Sequence, residues 1–260
     1  MMSLMLPMLF DMNTAVGHWP FRKVPHQTAE ELRRMLEQAG FGGAAVANTH
    51  GLFYKNCHDA NLELAEWLAP HGDFFAGVAT LNPLYAAWER DLRACREKLG
   101  FRALRMVPQY HAYELSAPEA IAMATAATEL GVPLLIPHRV VDVRQRHGFD
   151  TERTLGLDEI GALCAAVPEA RVIVTEANFS GRMLLDEDGA FRYPGLYLES
   201  SRADIGSFPE PVAAERMVLG TGAPFKHLRP ALLKLEIADL KPSSRERIGW
   251  TNGRRLLGMA

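Results

Sequence analysis

Asp11 and Asn13 end the first apolar run of the chain, Met8-Leu9-Phe10-Asp11-Met12-Asn13. On a β-strand a spacing of two puts both side chains on one face. A carboxylate beside an amide can orient a water or help hold a divalent ion, and equally can cap loop amides. Polar groups recur at the ends of later apolar runs. Arg105 lies on Ala103–Val107, ahead of Tyr110-His111-Ala112-Tyr113, a cluster suited to gripping an aromatic or acidic ligand. His138 and Arg139 follow Pro133–Pro137, Glu176 follows Val172–Thr175, and Glu199 ends Leu196–Glu199. Imidazoles move protons near neutral pH. An arginine pointing inward from an apolar strand is costly unless paired, so Arg105 is expected to meet Glu176, Glu199 or an anionic ligand. Glu199 then serves either the site or merely that arginine.

Something must hold these residues at one place. Eight strand-length apolar runs are predicted: Met8–Asn13, Ala44–Asn48, Phe74–Thr80, Ala103–Val107, Pro133–Pro137, Val172–Thr175, Leu196–Glu199 and Met217–Gly220. Amphipathic stretches between them predict helices at Ala29–Ala39, Asp59–Leu68, Ala86–Leu99, Pro118–Leu130, Leu157–Val167 and Arg229–Asp239. Thr28 stands as the N-cap of the first and Gly40 follows it. Strand–helix alternation favours parallel pairing. At 260 residues it favours one closed (β/α)8 TIM barrel over an open sheet. In such a barrel the C-terminal strand ends share one mouth. No linker divides the chain, so residues 1–260 are read as one domain.

Composition narrows the partners. The net charge of −3 carries no basic excess of the kind that binds nucleic acid or an anionic membrane. Cys57, Cys95 and Cys164 are scattered and form no CxxC, which fits a reducing compartment. The apolar start lacks a positively charged leader region, so a cytoplasmic protein is expected. A small molecule is the expected partner, and a homo-oligomer is left open.

The first strand, the strand ends and the tail Arg247-Ile248-Gly249-Trp250-Thr251-Asn252-Gly253-Arg254-Arg255-Leu256-Leu257 together resemble the amidohydrolase superfamily. The likeness is to its amidohydrolase-related branch of metal-dependent hydrolases and decarboxylases. That family carries His-x-His on the first strand, where this chain has Asp11-x-Asn13. Its strand-five histidine is matched by His138. Its strand-six histidine falls at Glu176 or Asn178, and its water-activating strand-eight aspartate at Gly222. The resemblance implies a hydrolase, lactonase or decarboxylase acting on a small carboxylated or cyclic substrate. Because the family includes lactonases that work without metal, the lost ligands leave a metal-independent reaction open. In that version Arg105 and Arg139 hold an anionic substrate, with Asn13, Tyr110, Tyr113 and Glu199 around it. His138 or His111 then moves a proton, and Asp11 or Glu176 orients a water or that histidine. A variant keeps one divalent metal ion on Asp11, His138 and Glu176. The alternative, favoured by Gly222, is a catalytically decayed barrel that binds or senses a small molecule.

Overall fold

A strand covered on both faces needs apolar side chains at nearly every position, and these strands are of that kind. A computed structural model of the chain describes residues 8–150, 152–177 and 185–259. The strands are β1 (Leu9–Val16), β2 (Phe41–Asn48), β3 (Phe75–Thr80), β4 (Ala103–Arg105), β5 (Leu134–Pro137), β6 (Val172–Thr175), β7 (Leu196–Glu199) and β8 (Met217–Val218). They pair in parallel in chain order. Between β8 and β1 the ring is completed by backbone contacts. Met12 N–H donates to the Leu219 carbonyl at 2.9 Å and Gly222 N–H to that of Asn13 at 3.0 Å, beside a parallel Thr14–Ala223 bridge. The expected (β/α)8 barrel is what the chain forms.

Helices alternate with the strands: α1 (Ala29–Gln38), α2 (Cys57–Leu68), α3 (Trp88–Glu97), α4 (Pro118–Glu129), α5 (Leu157–Ala166), α6 (Glu210–Arg216) and α7 (Leu228–Ile237). The Thr28 hydroxyl accepts the Glu31 N–H at 3.2 Å, and the Glu31 carboxylate accepts the Thr28 N–H at 3.4 Å. This reciprocal pair fixes where α1 begins. Strand β1 runs three residues past its predicted end. Thr14, Ala15 and Val16 pair with Val46, Ala47 and Asn48, and the apolar Ala15–Val16 are buried.

Inside the barrel, Phe10 and Met12 meet small partners, Ala45, Ala47, Ala76 and Ala103, with Val78, Leu135 and Ile173 completing the fill. Large side chains facing small ones pack a barrel interior without voids. Trp250 and Leu256, from the helical run 242–256, and Leu257 just after it close its floor. Asn252 secures that run by donating to the carbonyls of Ala214 and Met217, both at 2.8 Å. Among the described residues no helix is long and apolar enough to cross a membrane.

Candidate active site

A slip in strand register decides which side chains reach the mouth. The β1–β2 pairing shifts between Asp11 and Thr14. Three consecutive residues, Asn13, Thr14 and Ala15, therefore border one cavity of 30 Å³. Asp11 does not. It is fully buried against the segment after β8, and both its oxygens are occupied. Oδ1 accepts the N–H groups of Asn13 and Thr221 at 3.0 Å, and Oδ2 accepts the Thr221 hydroxyl at 2.6 Å. Of the expected pair, Asn13 alone borders the cavity. Burial pushes the Asp11 carboxyl up to about 7 against the pull of these donors.

The cavity's own acid is Glu176, held at φ +58° just past β6. A non-glycine residue in this left-handed region is uncommon and costs backbone strain. Glu176 Oε2 accepts from the Lys226 ammonium. Oε1 accepts from the Ser201 hydroxyl at 2.9 Å and from Asn13 Nδ2 at 3.3 Å. Glu199, fully buried behind it, accepts through Oε2 from Ser201 Oγ at 2.8 Å, Asn13 Nδ2 at 3.1 Å and Glu176 N–H at 3.1 Å. Ser201 has one hydroxyl proton and two carboxyl neighbours, so it donates to one of them at a time. Burial first, and Glu199 in addition, raise Glu176 to about 7 although Lys226 pulls the other way. Glycines make the room. A Cβ on Gly222 would stand 2.4 Å from Glu176 Oε1, and one on Gly220 would stand 2.3 Å from Glu199 Cγ.

Two arginines face Glu176 across the cavity. Arg105 donates from Nη2 to the Asn48 carbonyl at 2.6 Å and from Nε to Thr80 Oγ1 at 3.1 Å. No carboxylate pairs with it among the described residues, and burial lowers its pKa only to about 10, so it stays charged. Arg139 pairs with Asp142 Oδ2 at 3.0 Å, an oxygen it shares with Arg202 at 2.7 Å, while Arg144 takes Oδ1 at 3.0 Å. Neither arginine pairs with Glu176 or Glu199, so of the partners expected for Arg105 an anionic ligand is left. Phe225 and Val140 border both this cavity and a wider cleft of 930 Å³ that Ser201, Arg202 and Lys226 also line. Phe225 packs edge-on to Trp19, 4.9 Å between centroids, and Trp19 to Phe21 at 5.3 Å. The aromatic segment after β1 thus roofs the mouth.

The histidines and tyrosines are placed elsewhere. Pro137 and Arg139 border the cavity, and His138 between them does not. The His138 ring is half-buried, and burial lowers its pKa. His111 Nε2 donates to the Gly51 carbonyl at 2.9 Å, and burial brings its pKa to about 4, so it is neutral at pH 7. Tyr110 donates to Asp150 Oδ1 at 3.0 Å, and Tyr113 is buried in the core. The predicted Tyr110-His111-Tyr113 grip is a packing cluster. Asn178 lies outside the described residues. Ser201 and Thr221, at the ends of strands seven and eight, enter the site or its rim with Lys226 and Asp142, which were not singled out. Lys226 lies eight residues past β8, too far along the chain for a strand-end rule to find it.

The three suggested metal ligands do not assemble. Asp11 has its oxygens taken by Thr221 and Asn13, Glu176 is bound to Lys226, and His138 is not among the residues that line the cavity with Glu176. Among the described residues no three His, Cys, Asp or Glu side chains are placed to share an ion.

A closed parallel barrel whose mouth holds a raised carboxyl opposite buried arginines has the build of a barrel enzyme. The amidohydrolase family model matches residues 44–259, and the chain belongs to that family. The match begins after β1, so Asp11 and Asn13 lie outside it. Among solved structures, the chain is similar to a 2,6-dihydroxybenzoate decarboxylase from Rhizobium at 16% identity, TM-score 0.71, over 97% of this chain and 99% of that one. It is similar to a 5-carboxyvanillate decarboxylase from Sphingomonas paucimobilis at 14%, TM-score 0.72, over 97% and 99%. A dihydroxybenzoic acid decarboxylase from Polaromonas sp. JS666, with bound manganese and 2-nitroresorcinol, aligns at 15%, TM-score 0.70, over 97% of both chains. No curated protein matches the chain in sequence.

Proposed function

We propose that this chain is a hydrolase of a small carboxylated substrate, with Glu176 as its acid–base group. The observation that carries the reading is Arg105, a buried guanidinium at the cavity with no carboxylate partner among the described residues. A buried cation of this kind is matched by an anion from outside. The inner cavity of 30 Å³ takes a small polar group, and the adjoining 930 Å³ cleft takes the rest of the molecule. Arg105 grips a carboxylate equally before and during reaction, which makes that group a handle. It would resist turning the same carboxylate into neutral carbon dioxide. In the proposed reaction a water oxygen bonds to the carbonyl carbon of an ester, lactone or amide and gives its proton to Glu176. The carbon–heteroatom bond breaks, and Glu176 returns the proton to the leaving atom.

Decarboxylation is the second reading, favoured by the names of the similar structures. The manganese of one of them supports a divalent ion in this fold, but here Lys226 already sits on Glu176, and no three His, Cys, Asp or Glu side chains among the described residues are placed to share an ion. The pH profile separates the reactions. A base must be ionised, so hydrolysis rises with pH and levels off above about 7. An acid delivering its proton to carbon falls above that pH instead.

The test is a screen of small carboxylated esters and lactones against neutral isosteres, read by turnover and thermal shift. Arg105→Gln is expected to weaken carboxylate binding about 10- to 100-fold and to leave neutral analogues unaffected. Glu176→Gln is expected to cost roughly 10²- to 10⁴-fold in turnover, with His138→Gln costing far less. Equal binding of acids and neutral isosteres, unchanged in Arg105→Gln, would overturn the reading.

A further inference from the structure

At the mouth of the barrel Glu176 and Glu199 share Ser201 and Asn13 as donors, and a lysine sits directly on Glu176. Lys226 is brought there by a tight turn after β8, in which its N–H donates to the Gly222 carbonyl at 3.1 Å. Its side chain folds back over that turn and places the ammonium on Glu176 Oε2, with Ser201 Oγ at 3.4 Å. The fold-back needs Gly222 to be glycine. Its φ is +73°, and a Cβ there would lie 3.1 Å from Lys226 Cδ as well as against Glu176. The glycine that stands where the family resemblance expects an aspartate is thus the residue that lets the lysine in.

We propose that the Lys226 ammonium is the resident cation of this site, standing where a divalent ion would otherwise be required, and that it keeps such an ion out. A second cation on Glu176 would have to displace the first, and it would face the ammonium's charge at contact distance. The oxygens the ammonium touches, Glu176 Oε2 and Ser201 Oγ, with Glu199 behind Ser201, are the hard donors that manganese or magnesium accepts. Removing the lysine therefore leaves a buried carboxylate pair in want of a positive charge. The inference concerns the ion and not the substrate, so it holds for either reaction considered above.

Manganese binding to metal-stripped protein, followed by electron paramagnetic resonance at about pH 8.5 so that Glu176 is ionised, decides the matter without any substrate. Wild-type protein is expected to leave added Mn²⁺ in solution. Lys226→Ala is expected to bind about one equivalent, at least roughly tenfold more tightly than wild type. The double variant Lys226→Ala with Glu176→Gln is expected to lose that gain. Mn²⁺ bound by wild type and released in Glu176→Gln would overturn the proposal. So would a Lys226→Ala variant that is folded by circular dichroism yet as indifferent to Mn²⁺ as wild type. If Lys226→Ala does not fold, the comparison of wild type with Glu176→Gln still decides.

Discussion

Asp11 is a carboxyl that stays protonated further into the neutral range than a carboxyl in water, and this has a direct reading in stability. Its folded value of about 7 lies above its ordinary 3.8. Below about 3.8 both folded and unfolded chains hold the proton, and the residue adds no penalty. As pH rises from there towards 7 the unfolded chain ionises first, and stability falls by up to about 1.4 kcal/mol per pH unit for this group. Asp11→Asn keeps an acceptor for the two N–H groups and removes the ionisation. Relative to wild type, the variant is expected to gain stability between about pH 5 and pH 8, measured by urea unfolding at both. A gap that stays constant or moves the other way would contradict the buried, proton-holding carboxyl. At this scale the sequence was legible in part. Asn13, Arg105, Arg139 and Glu176 do border the cavity, because polar residues at strand ends have few other places to be. His138 was expected there on residue type and strand position. It stands between Pro137 and Arg139, which line the cavity, without lining it itself, and a motif match carries no information on that placement.

The elements were more legible than the contacts between them. Each apolar run became a strand, since a parallel strand covered on both faces can hardly be written otherwise. The bulge in β1 was not legible, because it arises from pairing with β2 and not from β1's own composition. The same holds for the turn after β8. Gly222 read as a lost aspartate, whereas in the folded chain it is a left-handed residue pressed between Glu176 and Lys226. Gly222→Ala is expected to destabilise the protein by about 1–3 kcal/mol, through its φ of +73° and the contact with Glu176. Gly189, also at positive φ with open space where a Cβ would go, is the control, and its alanine variant should pay the backbone cost alone. Thermal unfolding of the two variants compares them. Equal losses would mean that the turn does not press on Glu176.

For the whole molecule, closure of the ring and of its floor was foreseeable from length and tail, but the way the tail does it was not. Leu256 and Leu257 join the same packed cluster as Phe10 and Met12, from the far end of the chain. Leu256→Ala is therefore expected to cost about 2–5 kcal/mol, the usual range for an emptied core leucine, in a cooperative unfolding transition. A loss under about 0.5 kcal/mol, the scale of a surface change, would show that the floor is not part of the core. That floor also governs traffic. With the interior filled by side chains and the bottom plugged by Trp250, Leu256 and Leu257, the barrel is a cul-de-sac. Among the described residues the cavity and the wider cleft open at the same end of the barrel, with Phe225 and Val140 bordering both. On the proposed reading, a product that keeps the carboxylate leaves by the end at which the substrate arrives, releasing Arg105 as it goes, and the two compete for one doorway at every turnover.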